Sequence, residues 1–109
     1  MLQKVFRLPI QGWMEDKKSK TIAVKGDFFI VRKRENEKSF SRFGVLVGAK
    51  VFKGAVKRNR IKRKVFEIIR VSKLCQNPGK DILVSILPAA ANLPEEKIME
   101  SLPLILKKI

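Results

Sequence analysis

The residues best equipped for chemistry stand together in Lys57-Arg58-Asn59-Arg60-Ile61-Lys62-Arg63. Guanidinium forks bind phosphate oxygens two at a time, Lys adds a mobile point charge, and an Asn amide both donates and accepts. The surrounding stretch from 50 to 64 holds eight basic residues and no acidic one. A charge run is ordinarily a solvated helix face. This one sits in a chain of 109 residues with 25 Lys and Arg against 10 Asp and Glu, a formal net charge of +15. A potential of that size concentrates polyanions, so RNA, DNA or an anionic membrane is the implied class of partner.

Other chemistries lack their residues. The chain has no His and one Cys, Cys75, which excludes a His general base, a His–Cys nucleophile pair and a Cys-rich zinc site. Cys75 cannot close an intramolecular disulfide, fits a reducing interior and reads as a small, half-buried apolar residue. The ten carboxylates are scattered without metal-binding spacing, so two-metal hydrolysis by the protein is not expected. Residues Met1 to Ile10 form no apolar signal core, and the least polar stretch, Ile82 to Ala91, is interrupted by Ser85 and Pro88. Neither a signal peptide nor a membrane span is expected.

The elements that must position the basic run follow from periodicity. A chain this short supports one core, so a single domain over 1–109 is expected, and 45% hydrophobic residues suffice to build it. At 100° per residue, Ile61, Val65, Ile68, Ile69 and Ser72 share one side of a helix from about 55 to 74, with Asn59, Arg60, Arg63, Lys64, Glu67 and Arg70 broadly opposite. Its first half carries like charges at i, i+4, Arg60 and Lys64, a repulsion that a polyanion would relieve. Upstream, Phe28 to Val31 and Phe40 to Val47 read as two strands joined through Glu35-Asn36-Glu37. Downstream, Asn77-Pro78-Gly79 is a turn and Asp81 to Leu87 a buried central strand. Pro88 to Asn92 reads as a loop. Pro94, Glu95 and Glu96 suit the start of a last helix carrying Ile98, Met99 and Leu102, which Pro103 should kink or break. Near the start, Ile10, Trp13 and Met14 have the spacing of a short helix, opposed by Pro9 and Gly12. The expected class is α+β, a two-layer sandwich of helices on a small sheet, with room for one further short strand between Phe40 to Val47 and the basic helix.

At this level of detail the chain resembles the protein component of bacterial ribonuclease P. Arg42-Phe43-Gly44-Val45-Leu46-Val47-Gly48-Ala49-Lys50 is similar to that family's R-x-G-x-x-V-x-K-K strand, and Ala55-Val56-Lys57-Arg58-Asn59-Arg60-Ile61-Lys62-Arg63 to its A-x-x-R-N-R-x-K-R helix. Gly79-Lys80-Asp81-Ile82-Leu83-Val84 follows, as G-x-D-I-V-V does there. The three blocks stand in the family's order and spacing. Ala49 replaces the first Lys of the pair, Val51 to Gly54 replaces a Gly-containing turn, and Phe66 stands where a basic residue is common. Phe66 can pack against a neighbour or stack on a base, and packing is the favoured reading.

The resemblance implies the order α-β-β-β-α-β-α and a protein subunit of the endoribonuclease that removes the 5′ leader from precursor tRNA. The RNA subunit does the chemistry, so no catalytic residue and no cofactor or metal are expected on the protein, and Mg2+ is expected with the RNA. By position, Arg58, Asn59, Arg60, Lys62 and Arg63 inherit RNA contact, flanked by Lys50, Lys53 and Lys57. The family's cleft between first helix and sheet holds the single-stranded leader, where aromatic residues stack on bases; Trp13, Phe28 and Phe29 are the nearest candidates, Trp13 equally readable as core and Phe28 and Phe29 more readily so. The implied partners are the ribonuclease P RNA and precursor tRNA, in the bacterial cytoplasm. The alternative is a structural RNA-binding protein, of ribosomal or chaperone type, without a role in cleavage. DNA is not expected, because strands rather than a helix-turn-helix partner precede the basic helix. A membrane surface is not expected either, because the core needs that helix's apolar face.

Overall fold

In the computed structural model, which describes residues 6–15, 20–48, 54–73 and 79–107, the apolar run after Gly79 becomes β4, Lys80–Ile86. β4 is an interior strand and is buried on both faces, which is why its sequence is nearly continuous in apolar residues rather than alternating. Before it come β1, Thr21–Lys25, β2, Phe29–Glu35, and β3, Arg42–Val47, in a four-stranded sheet of order β1-β2-β4-β3. β1 pairs antiparallel with β2 and β2 with β4, while β3 runs parallel to β4. The two strands joined through Glu35-Asn36-Glu37 are therefore not neighbours, because β4 lies between them. A parallel pair needs a crossover, and the helix α2, Ala55–Val71, lies within the connection from β3 to β4.

The strand alternation sorts the sheet into two faces. Phe29, Val31, Phe43, Val45, Val47, Ile82, Val84 and Ile86 meet Ile61, Val65, Phe66 and Ile69 of α2 and the buried side of α3, Glu95–Leu106. Each of these large side chains contributes roughly 1.5–3 kcal/mol by leaving water. Phe66 thus packs into the core, as favoured, and a 3-10 turn at Pro88–Asn92 occupies the expected loop. On the other face Leu83 lies beneath Leu8, Ile10 and Trp13, which belong to or flank the short helix α1, Ile10–Glu15. Gly44 makes that approach possible: a Cβ there would stand 2.9 Å from Ile10 Cγ1 and 3.2 Å from Leu8 Cβ. The α+β order α-β-β-β-α-β-α is observed, with α2 and α3 forming the helical layer and α1, among the described residues, on the opposite face.

Pro103 does not break the last helix, which runs through it to Leu106, with Lys107 N–H donating to the Pro103 carbonyl at 3.2 Å. An interior Pro costs a helix about 3 kcal/mol, but Ile105 and Leu106 beyond it are both buried in the core, and their burial offsets that cost.

Candidate nucleic-acid interface

α2 begins against its own electrostatics. Gly54 precedes it in extended geometry without a side-chain cap, and its first turn holds no acidic residue. Lys57 and Arg58 therefore meet the positive end of the helix dipole, an unfavourable placement that an anion would reverse. The helix forms because Ile61, Val65 and Ile69, four residues apart, are fully buried against the sheet. Anchoring that stripe turns the residues near 180° away from it, Asn59, Arg63 and Arg70, outward to solvent.

The structure brings the sequence-predicted helix residues together on this surface. Lys57, Asn59, Arg60 and Arg63 are exposed, and Arg58 and Lys62 are half-buried. The side chains of Asn59, Lys62 and Arg63 make no hydrogen bond or ion pair with the described residues, so their donors are free for a ligand. Arg60 and Lys64 both reach across to Glu95 in the first turn of α3, Lys64 Nζ at 2.5 Å from Oε2 and Arg60 on Oε1. Lys64 first, and Arg60 with it, holds the Glu95 carboxyl below its ordinary range. Further along, Arg70 pairs with Glu67 and lowers that carboxyl in turn. Arg60, Arg63, Lys64 and Glu67 line a shallow groove on the helix surface. Lys50 and Lys53, the flanking candidates before the helix, lie outside the described residues, as does Cys75.

The aromatic candidates do not gather in one cleft. Phe29 is 1% exposed in the core beneath α3, on the opposite face of the sheet from Trp13. Phe28 is half-buried and lines a groove with Lys25, Ser101 and Leu104. Trp13 is 7% exposed, and one ring face is covered by the Arg34 guanidinium at 4.0 Å. In this arrangement a base cannot stack on Trp13.

Sequence reasoning missed the polar network on that face. Arg34 is itself buried: it donates to the Trp13 carbonyl at 2.7 Å and to Thr21 Oγ1 at 3.0 and 2.9 Å, tying α1, β1 and β2 together. Beside it Arg42 grips Asp81 with two hydrogen bonds, of 2.9 and 2.7 Å, across the β3–β4 register pair, and Asn36 Nδ2 donates to the same carboxylate at 2.7 Å. Burial alone pushes Asp81 upward, but Arg42 and Asn36 outweigh it and the carboxyl ends below its ordinary value. The Trp13 indole N–H is buried without a hydrogen-bond partner among the described residues, and it adds the smallest of the contributions that lower Asp81. The available signal was a pair of charges, Arg34 and Asp81, inside strand patterns, where a buried charge requires a partner.

Residues 17–109 match the family model described as Ribonuclease P. The chain belongs to the ribonuclease P protein family. The ribonuclease P protein component of Lactobacillus helveticus is 36% identical over 75 residues, covering 69% of this chain and 62% of that protein. That of Synechocystis is 32% identical over 68 residues, 62% of this chain and 55% of the relative. The matched stretch thus spans little more than half the length of these curated relatives. Among solved structures, the Staphylococcus aureus RNase P protein superposes with a TM-score of 0.80 at 30% identity, covering 94% of this chain and 93% of that one. The family match begins after α1, so Arg34, Arg42, Gly44, Asp81 and the whole basic face of α2 fall within it, whereas Trp13 does not. Among the described residues no helix is long and apolar enough to cross a membrane.

Proposed function

We propose that this chain is the protein subunit of a bacterial, cytoplasmic ribonucleoprotein endoribonuclease that removes the 5′ leader from precursor tRNA, and that it binds the catalytic RNA through α2. The observation that carries this reading is the outward pair Asn59 and Arg63, with half-buried Lys62 at the edge of the same surface, their side chains without protein partners among the described residues, on a helix whose other side is locked in the core of a ribonuclease P family member. Such a face can bind successive phosphates with little reorganisation of the protein. Lys57, Arg58 and Arg60 extend it toward the helix N-terminus, where the dipole adds to their attraction for phosphate. The protein neutralises charge and orients RNA, and the RNA with its Mg2+ performs hydrolysis. Of the three aromatic candidates for the leader, Phe28 is the one left open for stacking, in a groove beside α3 rather than between α1 and the sheet, while Trp13 serves by holding α1 against the sheet.

The test is precursor-tRNA cleavage by a bacterial ribonuclease P RNA at low magnesium, with and without the protein. A large gain in turnover or substrate affinity is expected. Tight RNA binding without any gain would instead establish a structural RNA-binding protein.

A further inference from the structure

Arg60 and Lys64 stand one turn apart on α2, and their repulsion is relieved within the chain itself, each ammonium or guanidinium taking one oxygen of the Glu95 carboxylate. Two cations converging on two oxygens of one anion is the pattern that the non-bridging oxygens of a phosphodiester also satisfy. Glu95 is mostly shielded by this contact, its side chain 18% exposed, while Arg60 and Lys64 remain 57% and 46% exposed, so an incoming phosphate can reach the cations from solvent. The same cations border the surface groove that includes Arg63.

We infer that Arg60 and Lys64 form one phosphodiester-binding subsite, that Glu95 occupies it in the free protein as a built-in competitor, and that an RNA phosphate displaces the carboxylate. This deepens the reading of α2 as an RNA-binding helix and rests on it. It adds Lys64, which lies outside the R-N-R-x-K-R string, to the contact surface, and it gives an acidic residue of α3 a role in setting affinity. Exchanging one anion for another keeps both cations paired in the free and bound states. The repulsion between the carboxylate and the arriving phosphate opposes binding.

The experiment is a salt titration of binding to a labelled ribonuclease P RNA transcript, comparing wild type with Glu95→Gln and Glu96→Gln. Glu96 is the right control: it is the next residue in the same first helical turn, exposed, without an ion pair among the described residues, and its substitution changes the net charge equally. Glu95→Gln is expected to bind about two- to five-fold more tightly than Glu96→Gln at low salt, the scale of an exposed ion pair. Adding Lys64→Gln to Glu95→Gln should remove that gain and make the log–log salt slope shallower by roughly 0.7–0.9, one phosphate contact. Equal affinities for the two Gln variants, with wild type binding well, would overturn the competitor role alone. An unchanged slope on adding Lys64→Gln would remove Lys64 from the subsite. Failure of wild type to bind the transcript even at low salt would overturn this inference together with the reading of α2. Tighter binding by Glu95→Gln without stimulation of cleavage would support the subsite and count against the role in processing.

Discussion

Arginine does opposite work on the two sides of this molecule. Under α1, Arg34 is buried with its donors spent on Trp13 and Thr21, and Arg42 is clamped on Asp81. On α2, Arg63 projects without a partner among the described residues, and Arg60 holds the Glu95 carboxylate while staying largely exposed to solvent itself. Residue type does not separate these roles, since all four are Arg in a strongly cationic chain. The difference is what each costs to leave unpaired: a buried guanidinium must be fully partnered because its desolvation is expensive, whereas an exposed one loses little and stays available to phosphate. The family-like motif blocks divide along the same line. Arg42, Gly44 and Asp81 lie in strand blocks and build the platform, and the helix block presents the binding surface.

The contrast can be attacked first at its structural side. Asp81→Ala strands Arg42 and Asn36 and should cost about 3 kcal/mol in urea denaturation, the scale of breaking a buried pair. The folded variant should still bind RNA as wild type does. A loss of affinity at full folding would move the RNA site to the sheet. Asp81 also sets an acid limit. Its carboxyl is held below its ordinary value in the folded chain, so its stabilisation is complete above that ordinary value of 3.8 and is lost as pH falls through the lower folded value. Asp81→Asn should flatten stability against pH in that acid window, measured by denaturation midpoints.

Arg34→Ala is expected to cost about 2 kcal/mol, from hydrogen bonds to a charged group and the cation–π contact with Trp13. Its sharper readout is proteolysis, since releasing α1 should make the chain before β1 the first site cut. If cleavage there is no faster than in wild type, Arg34 is not the tie. Smallest in energy are Arg58→Ala and Arg63→Ala on α2. Each should weaken RNA binding by about five-fold, near 1 kcal/mol, and change stability by no more than about 0.5 kcal/mol. A large drop in melting temperature for either would place it with the structural arginines.

The parts legible in the sequence are those where one periodicity dominates. α2 and β4 were readable from the Ile61, Val65, Ile69 stripe and the unbroken apolar run, and Phe66 fell on the core side as favoured. β1 was not delimited, because it is a five-residue edge strand with Thr21, Ile22, Ala23 and Lys25 all exposed, and the further strand expected from the residue pattern was placed after Phe40 to Val47 rather than before Phe28. The insertion of β4 between β2 and β3 was invisible to residue patterns, since strand order is a long-range property. It came through the family resemblance only as a sequence of elements. Pro103 misled because the burial of Ile105 and Leu106 beyond it is tertiary. The basic surface was legible as a charge run, but Glu95, 35 residues from Arg60, was readable only as a helix-start residue, and its contact with the cations needed the fold.

The most direct measurement of the central claim is the salt dependence of ribonuclease P RNA binding by wild type and by the combined Arg58→Ala, Arg60→Ala, Arg63→Ala variant, each verified as folded. If these three arginines of α2 carry the phosphate contacts, the log–log slope of the variant is shallower by roughly 2–3, with a large loss of affinity at physiological salt. An unchanged slope and affinity in a folded triple variant would contradict the assignment of α2 as the RNA-binding surface.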